Sequence, residues 1–214
     1  MQGNPVYKFF SALLCYPEAD LVEALPEFQA ALDQMPELAA HREGLQALLD
    51  YLGGNSLRHI QEEYVSIFDR NRLHALYIFE HVFGEDRDRG SAMVDLLEEY
   101  RKYGFELGDD ELPDFLPALL EFFAHIPPAD AQKLLGDAVH VINHIGKNLR
   151  TAGSPYAVVL ENIVALSPVE PQPLTEPPVR DMDEAMETFG PDVSGIEPLL
   201  KPSIQTVQFY PKSK

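Results

Sequence analysis

LLGDAVHVINHIGKNL, residues 134–149, carries Leu134, Leu135, Ala138, Val141, Ile142, Ile145 and Leu149 at intervals of three and four. With 3.6 residues to a turn, that interval puts all of them on one helical stripe. Working outward, the same rule joins Leu116, Leu119, Leu120 and Phe123, then Met93, Leu96, Leu97 and Tyr100. Toward the N-terminus it joins Ile60, Tyr64, Ile67 and Phe68; Leu45, Leu48, Leu49 and Leu52; and Leu21, Leu25, Phe28 and Leu32. No period-two strand of useful length interrupts this pattern. Residues 1–166 therefore read as an all-α, single-domain helical bundle.

Local punctuation agrees. Asn55, after Gly53-Gly54, suits a helix N-cap, and Ser154-Pro155 sets a capping hydroxyl before a proline at a first helical position. Gly104 and Gly108 bracket a break after Tyr103. Asp114 is expected to cap a helix starting at Phe115, which leaves Pro117 where its missing N–H breaks no hydrogen bond. Beyond residue 166 the character changes, because half of the 18 prolines fall in 167–214 among acidic and small residues. That stretch reads as an extended, Pro-rich acidic tail. Within it, Met182, Met186 and Phe189 align on a short helical face, and IQTVQFY is apolar enough to pack back on the body.

The 214 residues suffice to bury a core without staples. The single cysteine, Cys15, excludes an intrachain disulfide framework, and its apolar setting suggests a small buried hydrophobe. No secretory signal or membrane-length apolar run is evident, which predicts a cytoplasmic protein without membrane insertion. With 35 acidic against 16 basic residues, the formal net charge is −19. Such a surface repels nucleic acid and attracts a cationic partner.

Motifs for chemistry are incomplete. His140 and His144 share a helix face, but no HExxH glutamate or third ligand accompanies them. Calcium is disfavoured in GEDRDRG by Arg87 and Arg89, and no phosphate loop or nucleophile elbow occurs. His81, between Glu80 and Glu85, is a candidate acid–base group whose carboxylate neighbours would raise its pKa. Neither a catalytic nor a metal-binding set can be assembled, so binding is the favoured class, with a helical metal-dependent hydrolase as the rival.

Three stretches in fixed order carry a resemblance: EYVSIFDRNR (63–72), LYIFEHVFGEDRDRGSAMVDLLEEY (76–100) and ELPDFLPALLEFF (111–123). Together they resemble the NarJ-type assembly chaperones of respiratory nitrate reductase, within the redox-enzyme maturation chaperone family that includes TorD and DmsD. The likeness is close over residues 55–165 and looser at both ends. It implies an all-helical, non-enzymatic protein that binds the N-terminal segment of the nitrate reductase catalytic subunit. It further implies that the client is held while molybdenum cofactor and iron–sulfur clusters are inserted, with no cofactor retained on the chaperone. Molybdenum cofactor delivery proteins are further implied partners. The alternative is a sister chaperone for a molybdoenzyme with a twin-arginine leader. A monomer is expected, with a minor domain-swapped dimer.

For the client segment, Tyr64, Phe68, Leu76, Tyr77 and Phe79 offer apolar contacts, although each taken singly also reads as ordinary core. Asp69, Glu80, Glu85, Asp86 and Asp88 offer carboxylates, with His81 among them. The family's ExPD motif carries over to Glu111, Pro113 and Asp114. Phe115 stands where the family commonly has histidine, which shifts that position toward apolar recognition. In EHVFGEDRDRG, Gly84 is expected to break the chain, Asp86 or Asp88 to cap the next helix, and Arg87 and Arg89 to pair with Glu111 or Asp114.

Overall fold

The computed structural model describes residues 4–83, 88–108 and 111–174. Ten α-helices run among them: α1 (Pro5–Leu14), α2 (Ala19–Glu23), α3 (Leu25–Gln34), α4 (Arg42–Gly54), α5 (Leu57–Tyr64), α6 (Glu80–Phe83), α7 (Asp88–Lys102), α8 (Leu116–Phe123), α9 (Pro128–Thr151) and α10 (Ala157–Ala165). The described residues contain one isolated antiparallel bridge, Tyr77 to Phe115, and no strand. None of their helices is long and apolar enough to cross a membrane.

The core takes in the predicted stripes of α4, α8 and α9 and adds faces of α1 and α10 that the periodicity did not name, whereas in the α7 stripe only Tyr100 is buried. Val6, Phe10, Leu13 and Leu14 of α1 are fully buried, as are Leu116, Leu120 and Phe123 of α8, the helix it packs against. Tyr7 meets Phe123 edge-on at 5.6 Å. Leu135, Ile142, Ile145 and Leu149 of α9 bury against α10, whose Val159, Leu160 and Ile163 are equally covered. Each such side chain contributes about 1.5–3 kcal/mol of apolar transfer, before the entropy of ordering it.

Helix starts follow sequence chemistry with shifts of register. Asn4 caps α1 by accepting the Val6 amide at 3.0 Å, with Pro5 at the first position. Ser56, rather than Asn55, caps α5 through the His59 amide at 3.3 Å. Asn55 ends α4 instead and donates to Tyr51 O at 2.8 Å. Ser154 accepts the Tyr156 amide at 3.3 Å, but as part of a turn that precedes α10. The stripe from Leu21 to Leu32 is divided between α2 and α3, because Pro26 lies in the first turn of a new helix. The break at Gly104 stands: its φ of 80° lets the Phe105 amide reach Tyr100 O at 3.0 Å and close α7.

The described start of the tail lies against α9. The Gln172 amide donates to His140 Nδ1 at 2.9 Å, and Leu174 packs on the core. Gly136 permits this path, since a Cβ there would fall 2.8 Å from Val169 Cγ2. The helix expected around Met182, Met186 and Phe189 and the IQTVQFY segment lie outside the described residues.

Candidate functional site

Past Tyr64 the chain winds one wider π-helical turn, Val65–Asp69, closed by the Arg70 amide on Val65 O at 3.1 Å. That turn changes the angular step, so the Tyr64 and Phe68 rings pack at 4.8 Å, tilted by 52°, while Asp69 faces the same hollow. Residues 75–77 then pass beside the ExPD segment, and Ile78 and Phe79 turn into α6. Leu116 N donates to Leu76 O at 2.8 Å, and Ile78 N to Asp114 O at 3.1 Å. This single bridge sets the Tyr77 and Phe115 rings 5.2 Å apart.

Together with α1, these segments enclose an open groove of about 730 Å³. Tyr64, Phe68, Leu76, Tyr77 and Phe115 line it, with Asp69 and Glu111. The structure thus gathers these sequence-selected residues around one hollow, but Tyr64, Phe68 and Leu76 are buried core side chains behind its floor, and Tyr77 and Phe115 are the half-buried ones. It adds Lys8, Ser11, Ala12, Cys15, Tyr16, Glu18, Leu21 and Glu121, which were not among the expected contact residues. A readable signal existed: Lys8, Ser11, Ala12 and Cys15 fall at i, i+3, i+4 and i+7 in an otherwise apolar helix, which makes them its groove face. The lining holds four carboxylates, Glu18, Asp69, Glu111 and Glu121, against the single ammonium of Lys8.

Groove chemistry opposes covalent catalysis. Burial, then Glu121 and Glu111, push the Cys15 thiol up, away from a reactive thiolate. Cys15 is nonetheless exposed at the end of α1, which corrects the expectation of a buried hydrophobe. Burial also raises the Tyr64 phenol, which donates to Leu14 O at 2.8 Å, and raises Tyr77 to about 12. The Tyr77 hydroxyl donates to Glu111 Oε1 at 3.2 Å and so holds that carboxylate at the rim.

Other expected contact residues serve the scaffold. Asp114 is fully buried and does not cap α8: its Oδ2 accepts the Phe79 amide at 3.0 Å, a long-range bond that outcompetes the local cap. Phe115 occupies the N-cap position without a side-chain bond, and Pro117 lies in the first turn of α8. Arg89 lies 3.9 Å from Asp114 and donates to Glu80 at 3.3 Å, so its expected structural pairing holds for Asp114. Glu80 is thereby engaged, and Pro113 is buried with its carbonyl accepting from Tyr100 Oη at 2.7 Å. Phe79 packs edge-on against Phe83 at 5.5 Å rather than on the groove.

His81 is buried, with Nε2 2.9 Å from Ala75 O, and desolvation lowers its pKa. The expected upward shift fails because burial outweighs Glu80. Neither His81 nor Asp114 lines the groove. Asp88 is exposed at the start of α7, away from the groove, whereas Glu85, Asp86, Gly84 and Arg87 lie outside the described residues. His140 and His144 point to separate partners, the Gln172 amide and Asn148, and not to a common centre.

Comparison with known proteins fits this architecture. The family described as nitrate reductase delta subunit matches residues 20–160. The chain belongs to the nitrate reductase delta subunit family. It is 39% identical over 160 residues to the nitrate reductase molybdenum cofactor assembly chaperone NarJ of Escherichia coli K12, spanning 73% of this chain and 67% of that protein. A Bacillus subtilis relative, named "probable nitrate reductase molybdenum cofactor assembly chaperone NarJ", is 28% identical over 74% of this chain and 86% of its own length. In fold, the chain resembles a crystal structure of a candidate redox enzyme maturation protein from Archaeoglobus fulgidus, with a TM-score of 0.54 and 24% identity over 77% of this chain and 94% of that one. The family is one of maturation chaperones, not of catalytic enzymes.

Proposed function

We propose that this chain is an assembly chaperone for respiratory nitrate reductase that takes the N-terminal segment of the catalytic subunit into the acidic, aromatic-floored groove. The observation that carries the reading is the groove's pairing of an apolar floor with a four-carboxylate rim. A basic amphipathic helix would bury its apolar face on the half-buried Tyr77 and Phe115, above a floor backed by the buried Tyr64 and Phe68, and set its cations against Glu18, Asp69, Glu111 and Glu121. Binding is reversible and needs no ATP. The client stays in the cytoplasm, unattached to the membrane, while molybdenum cofactor and iron–sulfur clusters enter it. The cofactor is cargo for the client and is not kept by the chaperone.

Co-purification tests this proposal. Tagged chaperone from cells producing the catalytic subunit should retain that subunit and lose it when the subunit's N-terminal segment is deleted. Retention undiminished by that deletion would place recognition elsewhere.

A further inference from the structure

The acidic groove ends at a ridge. Tyr16 is 43% exposed, stands edge-on to Tyr64 at 5.5 Å and lines the groove on one side. On its other side it lines a second hollow of about 460 Å³, whose walls include Arg58, Gln61, Glu62, Val65 and Arg70. The ridge is built in: Gln61 Nε2 donates to Pro17 O at 2.9 Å, and Tyr64 Oη to Leu14 O at 2.8 Å. The helix and π-turn over residues 57–69 thus form a shared wall, and consecutive residues address opposite hollows, Asp69 the first and Arg70 the second.

The charge changes sign across Tyr16. Arg58 is engaged by Glu62 at 2.8 Å, but among the described residues Arg70 has no ion-pair partner. In a chain of net charge −19, an exposed guanidinium left free beside an exposed aromatic departs from the surrounding field. A uniformly cationic segment crossing the ridge would meet repulsion there. A carboxylate would gain a charge-assisted, forked hydrogen bond.

We infer that the docking track continues over Tyr16 to Arg70, so that the segment it takes carries an acidic residue beyond its basic stretch, and that this contact fixes the segment's register and direction. This rests on the groove being the client site, and it adds a specificity determinant that the groove alone lacks. Basic residues along one helix can slide against four carboxylates. A single acid anchored on Arg70 removes that freedom.

The test is a double-mutant cycle by fluorescence anisotropy with a labelled synthetic peptide of the catalytic subunit's N-terminus. Each Asp or Glu of the peptide is changed to its amide in turn and measured against the native chain, Arg70→Gln and Arg70→Lys. One acidic position should matter by roughly two- to fivefold on the native chain and on R70K, with no effect on R70Q, as expected for one exposed pair. The coupling should fade in high salt. If the unmodified peptide binds but no acidic position couples to Arg70, the inference is overturned and the groove reading stands. If the unmodified peptide does not bind the folded native chain, both fall.

Discussion

The carboxylate of Asp114 accepts the backbone amide of Phe79 across 35 positions of chain, at 3.0 Å, with no exposure to solvent. Through this bond the ExPD segment holds the turn at Ile78–Phe79, and hence Tyr77, in place beside Phe115. Its second oxygen, Oδ1, has no hydrogen-bond partner, and Arg89 stands 3.9 Å from Oδ2. Asp114 is a positioning residue for the groove wall.

Asp114→Ala should therefore cost about 1–3 kcal/mol by orphaning a partly buried amide, measured by urea denaturation, while Asp114→Asn, which keeps an acceptor, should cost less. Burial raises the Asp114 pKa against the opposing pull of Phe79 and Arg89. A raised carboxyl stabilises the fold when protonated. That contribution is present below the ordinary carboxylate value, about 4, and is lost as pH rises through the raised one. The difference between native and D114N stability profiles should fall with pH across that window; a flat difference would contradict the burial.

His81 predicts the opposite slope. Its pKa is depressed, first by desolvation and then by His144 and His74, with the Ala75 carbonyl and Glu80 opposing. The neutral ring's contribution is present above the ordinary histidine value, about 6.5, and is lost as pH falls through the depressed one. His81→Gln, which retains a donor for the Ala75 carbonyl, should make stability less sensitive to acid below that value. Equal acid sensitivity in both proteins would show that His81 does not control it.

Phe115 follows the ExPD motif directly and lines the groove. Its ring lies 5.2 Å from Tyr77 in the groove. Phe115→Ala should weaken client-peptide binding about tenfold, the scale of a truncated aromatic contact, with its circular-dichroism spectrum retained. Phe115→His should introduce a pH-dependent affinity near neutrality that the native chain lacks.

The bundle was legible where burial is one-sided. The α8 and α9 stripes reappear as core because their apolar faces have a single place to go. Periodicity was blind to the cut between α2 and α3, since a helix can end and restart without disturbing the spacing of its apolar residues; Pro26 was the available sign. Asp114 and His81 were misread for a different reason. Their partners, Phe79 and the buried carbonyl of Ala75, are set by tertiary packing, and local charge pattern says nothing of burial. Of the groove, the aromatic floor was readable from motif resemblance. The α1 face was missed because Lys8, Ser11 and Cys15 look like accidents until their common helical face is noticed.

Cys15 supplies a native reporter. It lines the groove and is exposed, yet its thiol is shifted up by burial, Glu121 and Glu111. Maleimide labelling at neutral pH should be slower than for free cysteine and should accelerate as pH rises through the raised thiol value. Saturating client peptide should slow it at least about tenfold, a protection followed by mass spectrometry, whereas a peptide bound elsewhere would leave the rate unchanged.

Whether the acidic groove is the client site is decided by calorimetry of the catalytic-subunit N-terminal peptide against the native chain and the double reversal Asp69→Lys, Glu111→Lys. Both carboxylates are at the groove surface, so the variant should fold with native thermal stability to within about 1 kcal/mol. Binding to the native chain should be saturable and weaken with salt, and binding to the reversed one should be at least tenfold weaker, roughly 1.4 kcal/mol or more. Equal affinity for both folded proteins would contradict the groove as the client site.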